Sequence, residues 1–178
     1  MADIFTIYAR VETSDIPVYR NATLEQGAQA CYSISTSVSP VSIGDFITGT
    51  NFPNGGRLLS IAFRIFVFQD AGSSSQLGSY SANIFKRATD GTETLLSSGS
   101  IPSTLVPIGT CATAPSGVAN ILFTASGINA DLVVTDRLVL KLLHTRTQGA
   151  AYNLAIFVGN KTFFDVSMLE KERYTFVL

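Results

Sequence analysis

Apolar and polar positions alternate with a period of two along most of this chain, which predicts β-strands rather than helices. In DIFTIYARV (3–11) Phe5, Ile7, Ala9 and Val11 share one face, and Thr6, Tyr8 and Arg10 take the other. ACYSISTSV (30–38) sets Tyr32, Ile34, Thr36 and Val38 against a face that is mostly serine. RLLSIAFRIFVFQ (57–69) places Leu59, Ile61, Phe63, Ile65 and Val67 together. Its second face, with Ala62, Phe66 and Phe68, is apolar as well, apart from Ser60 and Arg64. A strand apolar on both sides lies centrally in a sheet and needs cover on its outer face.

GSYSANIFKRATDGTETLLSSGS (78–100) predicts a hairpin at Asp90-Gly91, since glycine tolerates the positive φ of a tight turn. GVANILFTA (117–125) and TDRLVLKLLHTRT (135–147) predict two more strands. AAYNLAIFVGN (150–160) is expected to be the hairpin partner of 135–147 across Gln148-Gly149, and KTFFDVSML (161–169) closes the set. No segment sustains a helical period, and NATLEQGAQA (21–30) offers a turn or two at most. Residues 12–29 lack clean alternation and contain a proline, so they read as an extended arm reaching a neighbour. About eight short strands with turn signals between them predict one all-β domain over 1–178, an antiparallel β-sandwich of jelly-roll type. An immunoglobulin-like sandwich is the second choice, although the chain has no Trp and no suitable cysteine pair. The expected core is Phe5, Ile7, Ile61, Phe63, Ile65, Ile84, Leu138, Leu140 and Leu142.

Composition narrows the function. Charged residues are only 14% of the chain against 46% hydrophobic, and 12 Lys and Arg against 13 Asp and Glu leave a net charge of −1. A near-neutral chain without a basic block gives a phosphate backbone little to hold, so no nucleic-acid partner is expected. The start MADIFTIYAR shows no secretory signal, and the apolar run 58–68 is too short to span a bilayer and contains Arg64, so no membrane partner is expected. Cys31 and Cys111 make no disulfide framework and are expected to stay reduced and packed. Asn21 and Asn160 open glycosylation sequons, which matter only on a eukaryotic secretory route.

No chemical motif emerges. His144 is the one histidine and ends the row Leu138, Leu140, Leu142, where a hydrogen-bonded position at the rim of the core is expected. A zinc site needs further ligands, and acyl transfer needs a nucleophile and a carboxylate, none placed by a motif. Asp131, Asp136, Asp165 and Glu170 lie near loops or strand ends, but sequence sets no two of them across a cleft. The acids form no closely spaced calcium loop, which leaves open one built from carbonyls and scattered carboxylates. NGGR (54–57) precedes a strand rather than a phosphate-binding helix. Tyr8, Tyr19, Tyr80 and Tyr152 are the aromatics available for stacking on a sugar, without the stronger help of a tryptophan. The expectation is a protein that is not an enzyme, with no catalytic, cofactor-binding or metal residues.

NIFKRATDGTETLLSSGS (83–100) followed by LVVTDRLVLKLLHTRTQGAAYNLAIFVGN (132–160) resembles a pattern of tailed-bacteriophage virion proteins. There a strand ending in Lys-Arg leads to an Asp-Gly turn, followed by a T-D-R-L-V-hydrophobic-K strand, a glycine turn and a strand ending hydrophobic-F-x-G. The resemblance implies a jelly-roll or β-sandwich subunit that decorates or cements a capsid, located in the virion and made in the host cytoplasm. Its alternative is a tail or tail-fibre component that binds a receptor or glycan. Residues 1–56 match nothing in that pattern, and its usual ending is replaced by MLEKERYTFVL.

Low charge and a doubly apolar strand point to contact with other copies. Phe66, Phe68, Tyr174, Phe176, Val177 and Leu178 are the expected subunit-contact residues, with 170–178 a C-terminal contact segment. Packing of these groups inside the monomer is the competing explanation. The partners expected are further copies of the chain, as a trimer, and the major capsid protein or other virion proteins.

Overall fold

The computed structural model describes the chain apart from residues 1, 17, 50–51, 53–54, 71–75, 112–118 and 171–178. The described residues contain no helix. Their strands are β1 (Asp3–Thr13), β2 (Arg20–Thr23), β3 (Ala30–Ser35), β4 (Val41–Thr48), β5 (Gly56–Asp70), β6 (Gln76–Arg87) and β7 (Glu93–Val106). There follow β8 (Ile108–Gly109), β9 (Ala119–Ala125), β10 (Ala130–Leu132), β11 (Arg137–Gln148), β12 (Asn153–Val158) and β13 (Phe163–Glu170). All belong to one 13-stranded sheet running β3-β12-β5-β13-β1-β2-β4-β11-β6-β7, with β8, β9 and β10 also paired to β5.

The sheet bends back on itself. Phe46 on β4 and Phe164 on β13 have ring centroids 5.8 Å apart, yet β1 and β2 lie between their strands. A flat sheet at about 4.8 Å per strand would hold them about 14 Å apart. At another place Tyr32 of β3 donates its hydroxyl to the Ile43 carbonyl of β4 at 2.6 Å, under the Arg20 guanidinium of β2. Inner faces from distant strands therefore share one core. Ile7, Ile61, Phe63, Ile65, Ile84, Leu138, Leu140 and Leu142 are all buried in it as expected, and Phe5 packs against it half-buried. Each such side chain removed from water contributes about 1.5–3 kcal/mol.

Several expectations are corrected. The sheet is mixed rather than antiparallel, because β2 runs parallel to β4 and β8 parallel to β5. β4 was not anticipated, and its pairing explains why. Leu142 pairs with Gly44 and Leu143 with Ser42, so Ile43 is an extra residue that breaks the period of two. A second bulge sits at Leu59. Ser167 pairs with Ser60 and Met168 with Leu58, which turns Leu58 inward with Ile61 and leaves Leu59 out of that row.

β11 and β12 are not a hairpin pair. Gly149 does take the left-handed φ of 91° that a turn requires. Beyond it, the Tyr152 backbone carbonyl and N–H both bond to Thr36, which carries the chain across the core. β12 then pairs with β3 and β5, while β11 lies between β4 and β6. The described residues of 12–29 are likewise no free arm. β2 pairs with β1 and β4, Ser14 and Tyr19 are buried, and Asp15 accepts two hydrogen bonds from Arg137 at 2.8 Å. The cysteines correct a further expectation, since Cys31 and Cys111 form a disulfide.

Candidate functional site

His144 lies inside the core rather than at its rim, because β11 continues four residues past it to Gln148. Its Nε2 is 2.7 Å from the Tyr152 hydroxyl, and its ring is 4.9 Å from that of Tyr80. Gly78 lies against the ring, and a Cβ there would come within 2.0 Å of Cε1. Burial pushes the imidazole down to about 4, so it is neutral at physiological pH. Tyr152 is pushed up to about 12 by burial and stays a phenol. Nδ1 has no protein partner. A proton on Nε2, donated to Tyr152, leaves only a lone pair without a partner on Nδ1, which costs less than a buried orphan N–H. A buried imidazole with so low a pKa is a poor general base.

A second polar cluster covers the outer side of β4, β11 and β6. Glu93 accepts from Arg87 at 3.1 Å, from Lys141 at 2.8 Å and from the Tyr19 hydroxyl. Burial alone would raise its carboxyl, but these three donors outweigh it and hold the group below its usual value. Burial and then the Glu93 charge push Tyr19 up to about 12. The Tyr19 ring packs on Ile47 and Val139, with Ile16 and Phe85 at the margin. This network clamps Tyr19, with Ile16 beside it, to the sheet. Sequence reading missed it, although a signal was present: Arg87 and Glu93 are directly paired across the β6–β7 hairpin.

The acids singled out in the sequence have separate partners. Asp131 pairs with Arg57 at 2.9 Å. Asp136 accepts the Val133 N–H at 2.9 Å, a turn-forming role before β11. Asp165 accepts the Thr6 hydroxyl at 2.7 Å and faces Arg64 at 3.7 Å. The side chain of Glu170 lies outside the described residues. Among the described residues no group of three His, Cys, Asp or Glu side chains is placed to hold a metal ion. No helix among them is long and apolar enough to cross a membrane.

Of the four tyrosines considered for sugar stacking, Tyr19, Tyr80 and Tyr152 are buried. Tyr8 is half-exposed on the outer face of β1, its ring 5.9 Å from that of Phe163. Phe68 has no exposed surface in the single chain, because it packs on Phe157 (centroids 5.1 Å) and Ala155. Phe66 and Cys31 border the same cluster. The disulfide from Cys31 ties the chain just after β8 to this spot, and the Gln69 N–H bonds the Pro107 carbonyl. The doubly apolar strand is thus covered at this end by its own chain, which corrects the expectation that Phe68 needs another subunit. Tyr174, Phe176, Val177 and Leu178 lie outside the described residues.

No family model and no curated protein matches the chain. Solved structures do share its fold. A CocE/NonD family hydrolase from Staphylococcus aureus aligns with 95% of this chain at 7% identity and a TM-score of 0.66; a second structure of the hydrolase gives 94%, 8% and 0.64. An aminopeptidase from a marine sediment Thaumarchaeota archaeon aligns with 95% at 9% identity and 0.63. The chain spans 37% of the length of each. The expectation of a protein that is not an enzyme is corrected by this finding. That exclusion rested on missing motifs, whereas the fold itself occurs in hydrolase and aminopeptidase chains.

Proposed function

We propose that the chain is a virion structural protein, a capsid decoration or cement subunit that binds a shell and stabilises it, with a β-sandwich of jelly-roll type as its scaffold. It acts as a homo-oligomer, a trimer, on the major capsid protein. The observation that carries this reading is the set of large apolar side chains left in water on a single chain, among them Ile4, Val18, Leu95, Leu105, Leu122 and Val133. Such groups are worth covering in an assembly, at about 25 cal/mol for each Å² buried. The near-neutral charge opposes association only weakly. The virion-like segments 83–100 and 132–160 supply parts of β6 and β7 and the whole of β11 and β12, so the resemblance falls on the scaffold rather than on a chemical site.

Sedimentation of the full chain and of a chain ending at residue 173 tests the assembly. The full chain is expected to sediment as a trimer at micromolar concentration, and the shortened one to associate more weakly while staying folded. A monomeric full chain whose truncation binds particles normally would refute the reading.

A second reading is favoured by the fold likeness. As a β-domain within a larger hydrolase, the chain would pack its apolar surface against a catalytic domain. Mass spectrometry of the native polypeptide separates the two, since this reading requires a chain well beyond 178 residues.

A further inference from the structure

The outer face of β1, β13 and β5 carries an arrangement that the assembly reading does not use. Tyr8, Phe163 and Arg64 form one cross-strand row, and Thr6, Asp165 and Ala62 form the next. The neighbours of Tyr8 and Phe163 in sequence are buried, so the two rings point outward, tilted 48° to each other. Neither ring belongs to the apolar clusters of the core. Arg64 is nearly half exposed, with its guanidinium 5.4 Å from the Phe163 ring. Its Nε stands 3.7 Å from Asp165 Oδ2, too far for a direct hydrogen bond. Asp165 is fixed through its other oxygen by the Thr6 hydroxyl at 2.7 Å. Beside the rings and the charged pair Ser60, Ala62 and Ser167 leave a low strip, bordered by the exposed Ile4, which pairs with Ser167, and by the exposed Leu122, which pairs with Arg64.

We propose that this face binds a carbohydrate, with a pyranose ring laid against Tyr8 and Phe163 and neighbouring hydroxyls bridging Arg64 and Asp165. A sugar combines an apolar C–H face with hydroxyls that both donate and accept. The first suits the aromatic rings, and the second suits a guanidinium and a carboxylate set just too far apart to satisfy each other. Other ligand classes fit less well. An anion meets the Asp165 carboxylate, a cation meets Arg64, and an apolar ligand would strip water from both charges without replacing it. A nucleic acid would need several cations, whereas these rows offer Arg64 alone and Arg10, the next outward position after Tyr8, is paired with Glu12. Few polar groups aimed beside an apolar wall is the usual composition of a small-ligand site.

The test is a glycan array of neutral hexose and N-acetylhexosamine oligosaccharides probed with the full chain, followed by calorimetric titration of the sugars bound. Tyr8→Ala and Arg64→Ala are each expected to weaken binding at least tenfold, while Tyr8→Phe keeps it, because the ring and not the hydroxyl does the stacking. Thermal melts of the variants confirm that the sheet is folded. Should Tyr8→Ala fail to fold, Arg64→Met, which keeps the aliphatic stem over Phe163, reads the same site. Absence of binding to every sugar on the array at millimolar concentration overturns the proposal. So does binding that neither variant weakens. Either outcome leaves the sedimentation test of assembly untouched.

Discussion

Replacing Cys111 by serine removes the disulfide with little damage to packing, since Cys111 is exposed whereas Cys31 packs against the Phe68 cluster. The bridge joins residues 80 apart. Closing a loop of that size removes about 4.5 kcal/mol of chain entropy from the denatured state at 25 °C. Native domains commonly lose about 2–5 kcal/mol when such a bridge is removed, so the relation gives the upper part of the range. For a chain of this length each kcal/mol moves the melting temperature by roughly 2–4 °C, so Cys111→Ser should melt about 9–18 °C lower. Differential scanning calorimetry with and without a non-thiol reductant reads the effect. Reduced wild type should match Cys111→Ser, and the double variant with Cys31→Ser should lose little more, because one bridge can be removed only once. A melting temperature unmoved by reductant, or losses that add in the double variant, would refute the disulfide as the source of stability.

Two further predictions concern the buried histidine. The folded chain keeps His144 neutral down to about 4, whereas an exposed imidazole protonates near 6.5, so between these values the unfolded state binds the extra proton. Stability is then fully present above 6.5 and falls by about 1.4 kcal/mol per pH unit as pH drops through that window. Urea denaturation at pH 7 and pH 5 should show this fall in wild type and a flatter profile in His144→Leu; equal slopes in both would contradict it. Gly78→Ala drives a methyl group into the imidazole and should cost about 1–3 kcal/mol. Much of that cost should vanish in the His144→Ala background, because the two residues collide with each other rather than with a third group. Additive losses in a double-mutant cycle would show that the strain lies elsewhere.

The all-β class and the inner face of the sheet were legible because period-two burial leaves a direct trace in the chain. The row Leu138, Leu140, Leu142, His144 is buried as its spacing implies. Two single-residue bulges set the limit. Ile43 hid β4 altogether, and Leu59 shifted the phase of β5, since an extra residue inverts every position beyond it. Partner choice was not legible either. Gln148-Gly149 marks a true turn, but Thr36, over a hundred residues away, takes hold of the Tyr152 backbone and sends β12 elsewhere. The clamp of Tyr19, Arg87 and Lys141 on Glu93 and the Cys31–Cys111 bridge join residues whose proximity depends on how the sheet curls. Of the outer platform, Tyr8 was visible as an outward ring. Its neighbours Phe163, Arg64 and Asp165 came from strands whose pairing no local pattern announces.

Cryo-electron microscopy of particles purified from cells in which the chain is made from its native genome tests the proposed role most directly. Repeated copies of this β-domain seated on the shell, each touching the major capsid protein through its exposed apolar side chains, are the expected result. Particles that carry no density for it on the shell, with the chain recovered instead as part of a larger hydrolase polypeptide, would contradict the assignment as a decoration subunit.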